Sequence, residues 1–286
     1  MLKFFDIAKD GLVLRLCKPG VYYKGTRFDW NGVFRRIEKK GMEIADEWFA
    51  SADPLRHDNV CGCSEEFAPI WIDGDKCVKV GVGVLQVEGG AEQYDRFKLY
   101  PVIARGERSI DVEGDCAVFT ETLDGFYEYR KVVRVTSGED FCIEHTFVNL
   151  CMEQVRTTCY NHNFFTFGAQ RVDPRRSIEF PSHPTGKWRP DSVNGYMKGN
   201  ALRFRRIMFP GEKCFIGNLH TPEEAGKGYA MTVRHGEVSV DIRCDKPMDH
   251  AVFWSNDRVS CIEPYVDIRL GWGESFRWSI DYTVRG

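Results

Sequence analysis

Two short stretches, far apart in this sequence, carry the side chains best suited to proton transfer. The first places His162 between Asn161 and Asn163 and continues into phenylalanines. Amide side chains can orient an imidazole, and aromatic rings that exclude water shift a histidine pKa. The second places Glu263 before Pro264, which favours extended backbone at the glutamate. A histidine and a glutamate in one pocket can exchange protons at neutral pH, so we interpret His162 and Glu263 as a catalytic pair.

Each of these residues also has a structural interpretation, which the sequence alone leaves open. A single histidine is more often a hydrogen-bonded core or surface residue than a catalytic one. Glu263 follows an apolar run and can equally form an ion pair with an arginine such as Arg258 or Arg269. The catalytic interpretation therefore depends on the fold bringing the two stretches together.

Two polar loops supply candidates for substrate binding. One is residues 25–32, which glycines bracket, and the other is residues 57–67. The candidate residues in the two loops are Arg27, Asp29, Trp30, His57 and Glu66. Their guanidinium, imidazole and carboxylate groups can hydrogen-bond to hydroxyls, and an indole can cover an apolar face. The alternative for residues 25–32 is a solvated turn with Trp30 buried in the core.

The elements that must position these residues have the sequence pattern of β-strands. Polar and apolar residues alternate over 238–244 and 276–284, which is typical of half-buried strands. Residues 33–49 predict a hairpin, and residues 78–85 predict one glycine-interrupted strand. Residues 221–224 predict the start of a short helix, and no long helical periodicity is present. Many short strands between turns predict one large antiparallel β-sandwich, an all-β fold.

Composition excludes several classes of protein. The chain has 286 residues, including twenty Phe and seven Trp, so it can bury a large core, and we expect a single domain over 1–286. A net charge of −3 gives no basic excess for nucleic acid. Eleven scattered cysteines and the absence of a signal-peptide pattern predict a reduced, cytoplasmic protein. No apolar run is long enough to span a bilayer.

The same stretches resemble motifs of a known superfamily. Residues 161–165, Asn-His-Asn-Phe-Phe, are similar to the Asn-His-(Ser/Thr)-Tyr-Phe segment of the aldose 1-epimerases, or galactose mutarotases. Residues 261–264 and the Gly-Trp-Gly-Glu turn at 271–274 resemble the glutamate region of that superfamily. Residues 25–30 and 62–67 are similar to stretches of epimerase-like proteins. The resemblance spans nearly the whole chain and is strongest to the branch that includes the hexose-6-phosphate mutarotases.

The resemblance implies a galactose mutarotase-like β-sandwich with a pocket on its concave face and no metal or redox cofactor. The family uses a histidine as general acid and a glutamate as general base, which implies these roles for His162 and Glu263. An arginine and a second histidine bind sugar hydroxyls in the family, and Arg27 and His57 are the candidates here. Asp191 is the candidate for the family's substrate-binding aspartate.

The implied reaction is the interconversion of sugar anomers. Glu263 takes a proton from the anomeric hydroxyl while His162 gives one to the ring oxygen, and the opened aldehyde recloses as the other anomer. Trp30 and the phenylalanines cover the apolar face of the sugar. Asn163 and Phe164 replace the hydroxyl residue and the tyrosine of the family, so galactose specificity is not implied.

Three alternatives remain open at this stage. One is a carbohydrate-binding protein of the same fold without turnover, which would not need His162 and Glu263 together. Another is a glycoside hydrolase or lyase, for which Glu66 supplies a carboxylate. The third is a structural zinc held by His57 and the cysteines of a Cys-x-Cys pair, a spacing unlike the usual zinc knuckle. The acid/base pair favours the isomerase.

A group of arginines bears on the charge of the sugar. Its members are Arg171, Arg175, Arg176, Arg203, Arg205 and Arg206. Guanidinium groups match the geometry of oxyanions, so these residues can hold a phosphate or uronate group of the substrate. The alternative is that they cover solvent-facing strands and loops. The predicted partner is a small sugar, either an aldose or a sugar phosphate.

Overall fold

The fold consists almost entirely of β-strands in a computed structural model that describes residues 3–168, 170–222 and 227–286. Within these ranges the chain forms twenty-four strands and one 3₁₀ turn, Gly90–Gln93. The strand pairs are antiparallel throughout. The same described residues contain no helix that is long and apolar enough to cross a membrane. The predicted all-β class is confirmed.

The larger of two main sheets has ten strands. In spatial order they are β10 (Glu107–Glu113), β11 (Cys116–Leu123), β12 (Tyr127–Val135), β13 (Asp140–Asn149), β24 (Ser275–Arg285), β21 (Val238–Cys244), β20 (Ala230–His235), β15 (Arg176–Glu179), β18 (Ala201–Phe204) and β17 (Gly195–Lys198). Alternation gives the sheet one buried face: in β12, Tyr127 and Tyr129 are buried whereas Glu128 and Arg130 are exposed. The two strands with the clearest alternation in the sequence, β21 and β24, are neighbours in this sheet.

The second main sheet has six strands and carries the stretches that the sequence singled out. In spatial order they are β16 (Thr185–Trp188), β19 (Cys214–His220), β22 (His250–Ser255), β23 (Ser260–Leu270), β14 (Val155–Asn161) and β5 (Glu65–Phe67). Strands β14 and β23 are adjacent, with Tyr160 opposite Tyr265. On the other side of β23, Val252 lies opposite Glu263. The pairing of β14 with β23 therefore places the stretch around His162 beside the stretch around Glu263.

The two main sheets pack face to face. The ring of Phe67, in the six-stranded sheet, lies 5.4 Å from the ring of Tyr129 and 6.2 Å from that of Trp278, both in the ten-stranded sheet. A continuous apolar cluster fills the space between the sheets. Burial of this surface is the main source of stability for such a layer. The predicted β-sandwich is therefore confirmed, and its description as a single domain stays a prediction.

Two four-stranded sheets complete the described fold. The first contains β1 (Phe4–Lys9), β2 (Leu12–Cys17), β3 (Phe34–Lys39) and β4 (Met42–Ala45), and the second contains β6 (Ile70–Asp73), β7 (Lys76–Lys79), β8 (Gly83–Gln86) and β9 (Val102–Ala104). The hairpin predicted within residues 33–49 is formed by β3 and β4. The single strand predicted over 78–85 is wrong, because a tight turn separates β7 from β8. The helix start predicted at 221–224 falls partly outside the described residues.

Candidate active site

His162 lies just beyond the end of β14, where the chain leaves the six-stranded sheet. Its backbone N–H donates to the carbonyl of Ser64 at 2.8 Å, and the N–H of Phe164 donates to the carbonyl of Gly62 at 2.8 Å. The imidazole stacks on the ring of Phe164 with centroids 3.7 Å apart. These contacts fix both the backbone and the plane of the imidazole.

Glu263 lies in the middle of β23, and its side chain points to the same site. Oε1 of Glu263 is 3.1 Å from Nε2 of His162. The residues are 5% and 4% exposed, respectively, so the pair is almost completely shielded from water. The ion pair with Arg269 that the sequence left open is absent here, because Arg269 donates to Asp267 at 2.8 Å.

The surroundings shift the pKa values of the pair in opposite directions. Burial lowers the pKa of His162 well below its ordinary value, and the neighbouring Arg27 guanidinium lowers it further. Burial raises the pKa of Glu263 to about 7, although Arg27 and Arg96 act against this shift. Burial disfavours the charged form of both groups, which explains both directions. At neutral pH the imidazole is uncharged and the carboxyl group is poised to gain or lose a proton.

Arg27, a residue predicted from the first polar loop, lies beside this pair. Its Nε donates to Oε2 of Glu66 at 2.6 Å, and its Nη2 donates to the hydroxyl of Tyr160 at 2.8 Å. The Tyr160 hydroxyl donates to the same carboxylate oxygen of Glu66. Charge-assisted bonds of this kind hold a guanidinium in one orientation. Arg27 and Glu66 thus form a fixed wall of the site.

Two further cations share the Glu66 carboxylate, and neither was proposed as a site residue from the sequence. Nζ of Lys79 lies 3.3 Å from Oε1 of Glu66, and Nε of Arg96 lies 3.6 Å from it. Arg96 also donates to the hydroxyl of Tyr265 at 3.2 Å. Burial opposes ionisation of Glu66, but Lys79 and the two arginines outweigh it and hold the pKa of that carboxyl far below its usual range.

Arg96 belongs to a loop of ordinary polar composition, so nothing in the sequence distinguished it. Lys79 did leave a signal: a lysine between two valines in an apolar run is out of pattern unless it has a buried partner. Its side chain is completely buried. A charged residue inside an otherwise apolar strand is thus a usable indication of a site.

His57, also a predicted binding residue, lies at the rim of the site. Its ring is 5.0 Å from that of Phe97, and the Arg27 guanidinium lies 5.3 Å from the same Phe97 ring. Burial lowers the pKa of His57, whereas Asp58 acts in the opposite direction. Its Nδ1 is buried and has no hydrogen-bond partner among the described residues. His57 is therefore connected to the pair indirectly, through Phe97 and Arg27 on one side and through Tyr23 and Phe28 on the other.

Three predicted binding residues have no direct contact with the pair among the described residues. Trp30 is 3% exposed, donates its indole N–H to Gly25 at 2.8 Å and packs in the core. Asp29 is buried between the sheets and accepts from the N–H of Asn31 at 2.7 Å. Asp191 is exposed and pairs with Arg189 at 2.6 Å. Trp30 therefore occupies a core position, which is the alternative that the sequence left open.

The arginines considered for an anionic group are also engaged elsewhere in the described structure. Arg175 pairs with Asp173 at 2.6 Å, and Arg206 pairs with Glu212 at 2.9 Å. The Arg205 guanidinium lies over the ring of Tyr196, 4.8 Å from its centroid. The cations that act on the candidate pair are instead Arg27 and Arg96.

The sheet beside the pair carries a row of stacked rings. Tyr265 stacks on Tyr160 and on His250, with centroids 4.3 Å apart in both cases. Nδ1 of His250 lies 2.8 Å from Asp249, and this histidine is partly exposed. The row extends the aromatic surface of the site across β14, β23 and β22. His250 was missed because a histidine at the start of an ordinary strand has no distinguishing pattern.

The metal alternative gains no support from the described residues, among which no three His, Cys, Asp or Glu side chains are grouped as metal ligands. Cys61 and Cys63 are buried in separate apolar clusters. Burial raises the pKa of the Cys61 thiol well above its ordinary value, which makes it a poor metal ligand.

Comparison of the sequence with protein-family models and with curated proteins finds no match. Comparison with solved structures finds a galactose mutarotase-related enzyme from Lactobacillus acidophilus with a TM-score of 0.60 and 12% identity, covering 99% of this chain and 97% of that one. A galactose mutarotase-like protein from Lactobacillus casei has a TM-score of 0.58 and 13% identity, with 99% and 100% covered. An aldose epimerase homologue from C. elegans has a TM-score of 0.57 and 12% identity, with 98% of each chain covered.

At these identities the structural likeness establishes the fold and nothing finer. The chain has the galactose mutarotase-like fold, as the sequence resemblance predicted. Because one fold can carry unrelated activities, the chemistry has to be argued from the side chains at the site.

Proposed function

We propose that this protein is an aldose 1-epimerase-like isomerase that interconverts the anomers of a sugar. The observation that carries the proposal is the 3.1 Å separation between Nε2 of His162 and Oε1 of Glu263 in a shielded site. The raised pKa of Glu263, about 7, suits a group that gains and loses a proton at neutral pH. The fold shared with mutarotase-like proteins supports the same reaction class.

The reaction needs one proton that the pair can transfer. Before the sugar reacts, this proton resides on Glu263, because burial raises the pKa of the carboxyl group and lowers that of His162. Transfer across the 3.1 Å contact gives a carboxylate and an imidazolium. Glu263 then takes the proton of the anomeric hydroxyl while His162 protonates the ring oxygen, and the ring C–O bond breaks. After rotation about the bond to the aldehyde carbon, reclosure reverses both transfers.

The neighbouring groups bind and orient the sugar. Arg27 is held by Glu66 and Tyr160, so its position does not depend on the substrate. The side chain of Arg96 is 34% exposed and is the more accessible of the two arginines for a sugar hydroxyl. Both guanidinium groups lower the pKa of Glu263, because a nearby cation stabilises the carboxylate form. A free sugar without any further group is sufficient as a substrate for these residues.

The local charge supports a sugar phosphate or an acidic sugar as well as a neutral aldose. Three cations, Arg27, Lys79 and Arg96, face two carboxyl groups, Glu66 and Glu263. An excess of positive charge in a site of low dielectric attracts anions. If millimolar inorganic phosphate leaves sugar binding unchanged, the charged substrate is contradicted and the neutral aldose remains.

The eleven cysteines form no disulfide, which supports a reducing, cytoplasmic setting.

The test is anomer exchange measured by NMR on a panel of aldoses and aldose phosphates. We expect the wild-type protein to accelerate exchange of at least one sugar above the buffer rate. His162→Ala and Glu263→Gln should each lose about 10²–10⁴-fold of that acceleration, the usual contribution of a proton-transfer group. Exposed residues of the same types provide matched controls, and His183→Ala and Glu128→Gln should retain it.

Two results would contradict the isomerase. Line broadening of a sugar without accelerated exchange would favour a carbohydrate-binding protein of this fold. Release of a smaller sugar from an oligosaccharide, in place of anomer exchange, would favour a glycoside hydrolase or lyase.

A further inference from the structure

Arg176, at the start of β15, is completely buried although it carries a charge. Each of its hydrogen-bond partners in the described residues is an uncharged group. They are the carbonyl oxygens of Phe165 (3.0 Å) and Thr166 (3.2 Å), Oγ of Ser260 (2.8 Å) and Nδ1 of His235 (3.2 Å). Burying a cation without a carboxylate as hydrogen-bond partner is costly, and burial lowers the pKa of Arg176 to about 9 although the nearby Asp173 acts in the opposite direction. A residue kept at such a cost calls for an explanation.

The partners of Arg176 belong to the two segments that carry the candidate pair. Phe165 and Thr166 follow shortly after His162, and Ser260 shortly precedes Glu263. The two segments also meet at an isolated β-bridge between Phe165 and Ser260. One guanidinium therefore joins both segments at the point where they leave the site.

The segment after His162 contains a backbone conformation that its sequence does not favour. Phe167 has φ of 54°, in the left-handed region that bulky side chains rarely adopt. The Arg176 guanidinium lies 4.5 Å from the centre of the Phe167 ring, and the N–H groups of Thr166 and Phe167 both donate to Ile44. Such a conformation persists only where the surroundings impose it, and it is concentrated at functional sites.

We infer that Arg176 is a positioning residue that holds the imidazole of His162 and the carboxyl group of Glu263 at their contact distance. The guanidinium is suited to this because its donors point in several fixed directions at once. A lysine at the same place keeps the charge but cannot bind two carbonyl groups and Ser260 in the same geometry. The consequence for catalysis rests on the proposed function, whereas the consequence for geometry does not.

The geometric consequence can be measured by NMR of ¹⁵N-labelled histidines. The signals of His162 are identified by their loss in His162→Ala, and their shifts report the hydrogen bond at Nε2. We expect Arg176→Lys to move these signals in a protein whose circular dichroism is unchanged. Arg108→Lys is the matched control, because Arg108 also donates to two carbonyl groups, those of Gly81 and Val82, both at 3.1 Å. The control should leave the His162 signals in place.

The catalytic consequence is a split between kcat and KM. Displacing a catalytic group by about 1 Å can cost about 10²-fold in rate, so we expect Arg176→Lys to lower kcat at least about tenfold. KM should change by less than about threefold, because Arg176 does not contact the substrate-binding arginines. Ser260→Ala removes only one partner of Arg176 and should shift both readouts in the same direction by less. It also serves as the test if Arg176→Lys does not fold.

The outcomes separate this inference from the proposed function. If the His162 signals move in Arg176→Lys but the wild-type protein shows no epimerase activity, the positioning role is supported and the isomerase is contradicted. Unchanged His162 signals and unchanged kcat in folded Arg176→Lys or Ser260→Ala would overturn the positioning role, whatever the activity of the wild type.

Discussion

The two side chains of the candidate pair respond differently to the same surroundings. Burial disfavours charge on both, so the imidazole of His162 stays neutral while the carboxyl group of Glu263 keeps its proton to higher pH. Arg27 adds to the shift of the histidine and opposes that of the glutamate, because a cation repels imidazolium and stabilises carboxylate. The pair therefore holds one transferable proton below about pH 7 and none above it.

This proton count predicts how activity depends on pH. The folded-state pKa of Glu263 is raised to about 7, so raising the pH through 7 removes the transferable proton. We expect the catalysed rate of anomer exchange to fall by about tenfold per pH unit above that value. Below it the rate should stay level until His162 gains a proton. The measurement is exchange by NMR on both sides of pH 7, with the buffer rate subtracted at each pH, and a catalysed rate that rises through pH 7 is incompatible with this mechanism.

A variant at Arg96 checks the assignment of that pKa. Arg96 lowers the pKa of Glu263, so Arg96→Ala should move the fall in activity to higher pH. Arg269→Ala, an exposed arginine paired with Asp267, is the control and should leave the profile where it is. Identical profiles for wild type and Arg96→Ala would mean that another group controls the rate.

Residue types and short spacings were enough to predict some members of the candidate site. His162 and Glu263 were recognisable because the unusual features around each are local in sequence. Trp30 was misleading, because an indole in a polar loop looks the same whether it faces a ligand or the core. Arg96 could not be identified, since its role depends on a loop reaching back over Glu66 and Tyr265, which no local pattern encodes.

At the scale of the elements, the turn after β14 is held by Asn163. This residue has φ of 54°, which asparagine tolerates better than most residues. Its Nδ2 donates to the carbonyls of Asn161 at 3.1 Å and Ile262 at 2.8 Å, and its Oδ1 accepts from Tyr282 at 3.0 Å. Asn163 therefore ties the histidine segment directly to the strand of Glu263. These three hydrogen bonds account for an amide side chain at this turn.

Replacing Asn163 by a hydroxyl residue should therefore destabilise this protein. Asn163→Ser removes two amide donors and leaves buried carbonyls without partners, so we expect the free energy of unfolding to fall by about 2–4 kcal/mol. Asn218→Ser is the control, because Asn218 has a similar φ of 53° but is exposed. The measurement is urea unfolding of both variants at neutral pH. Equal losses in the two variants would show that backbone conformation, and not the amide network, decides the effect.

Strand positions followed from alternation, whereas strand ends depended on contacts that the sequence does not reveal. The predicted strand over 78–85 is interrupted because the chain turns at Gly81, where φ is 78°. A Cβ at Gly81 would lie 1.8 Å from Oδ1 of Asp29, so this glycine is required by a close approach to another loop. A glycine in an apolar run therefore predicts a break in the strand only when the residue that packs against the glycine is known.

At the scale of the whole molecule, a buried polar network joins the two main sheets. Lys131 and His145 come from β12 and β13 of the ten-stranded sheet, whereas Glu65 and Asn161 come from β5 and β14 of the six-stranded sheet. Glu65 pairs with Lys131, lies 2.6 Å from Nε2 of His145 and accepts from Nδ2 of Asn161 at 2.9 Å. Burial opposes ionisation of Glu65, but Lys131 and His145 lower its pKa to about 2. Because Glu66, the next residue, faces the candidate site, the network also fixes the strand that forms its wall.

The sandwich was predictable from the sequence, but this link between its sheets was not. Apolar alternation identifies which face of a strand is buried, and that was sufficient for the fold class. Lys131 interrupts the buried positions of β12, and no feature near it in the sequence indicates that Glu65 is its partner. Ion pairs between distant strands become visible only when the register of both sheets is known.

Breaking this link on one side should cost more than removing it altogether. Lys131→Met leaves Glu65 buried without its main cation, so we expect a loss of about 3–5 kcal/mol in the free energy of unfolding. The double variant Lys131→Met with Glu65→Gln should recover most of that loss, because Glu65 is then no longer a buried carboxylate without its main cation. The pH dependence follows from the lowered pKa of Glu65: its contribution to stability is fully present above its unfolded value and disappears as the pH falls towards about 2. The free energy of unfolding of the wild type, measured in urea, should therefore fall over that acidic range more than that of the double variant. Equal stability of the single and double variants would mean that the two sheets do not depend on this charge pair.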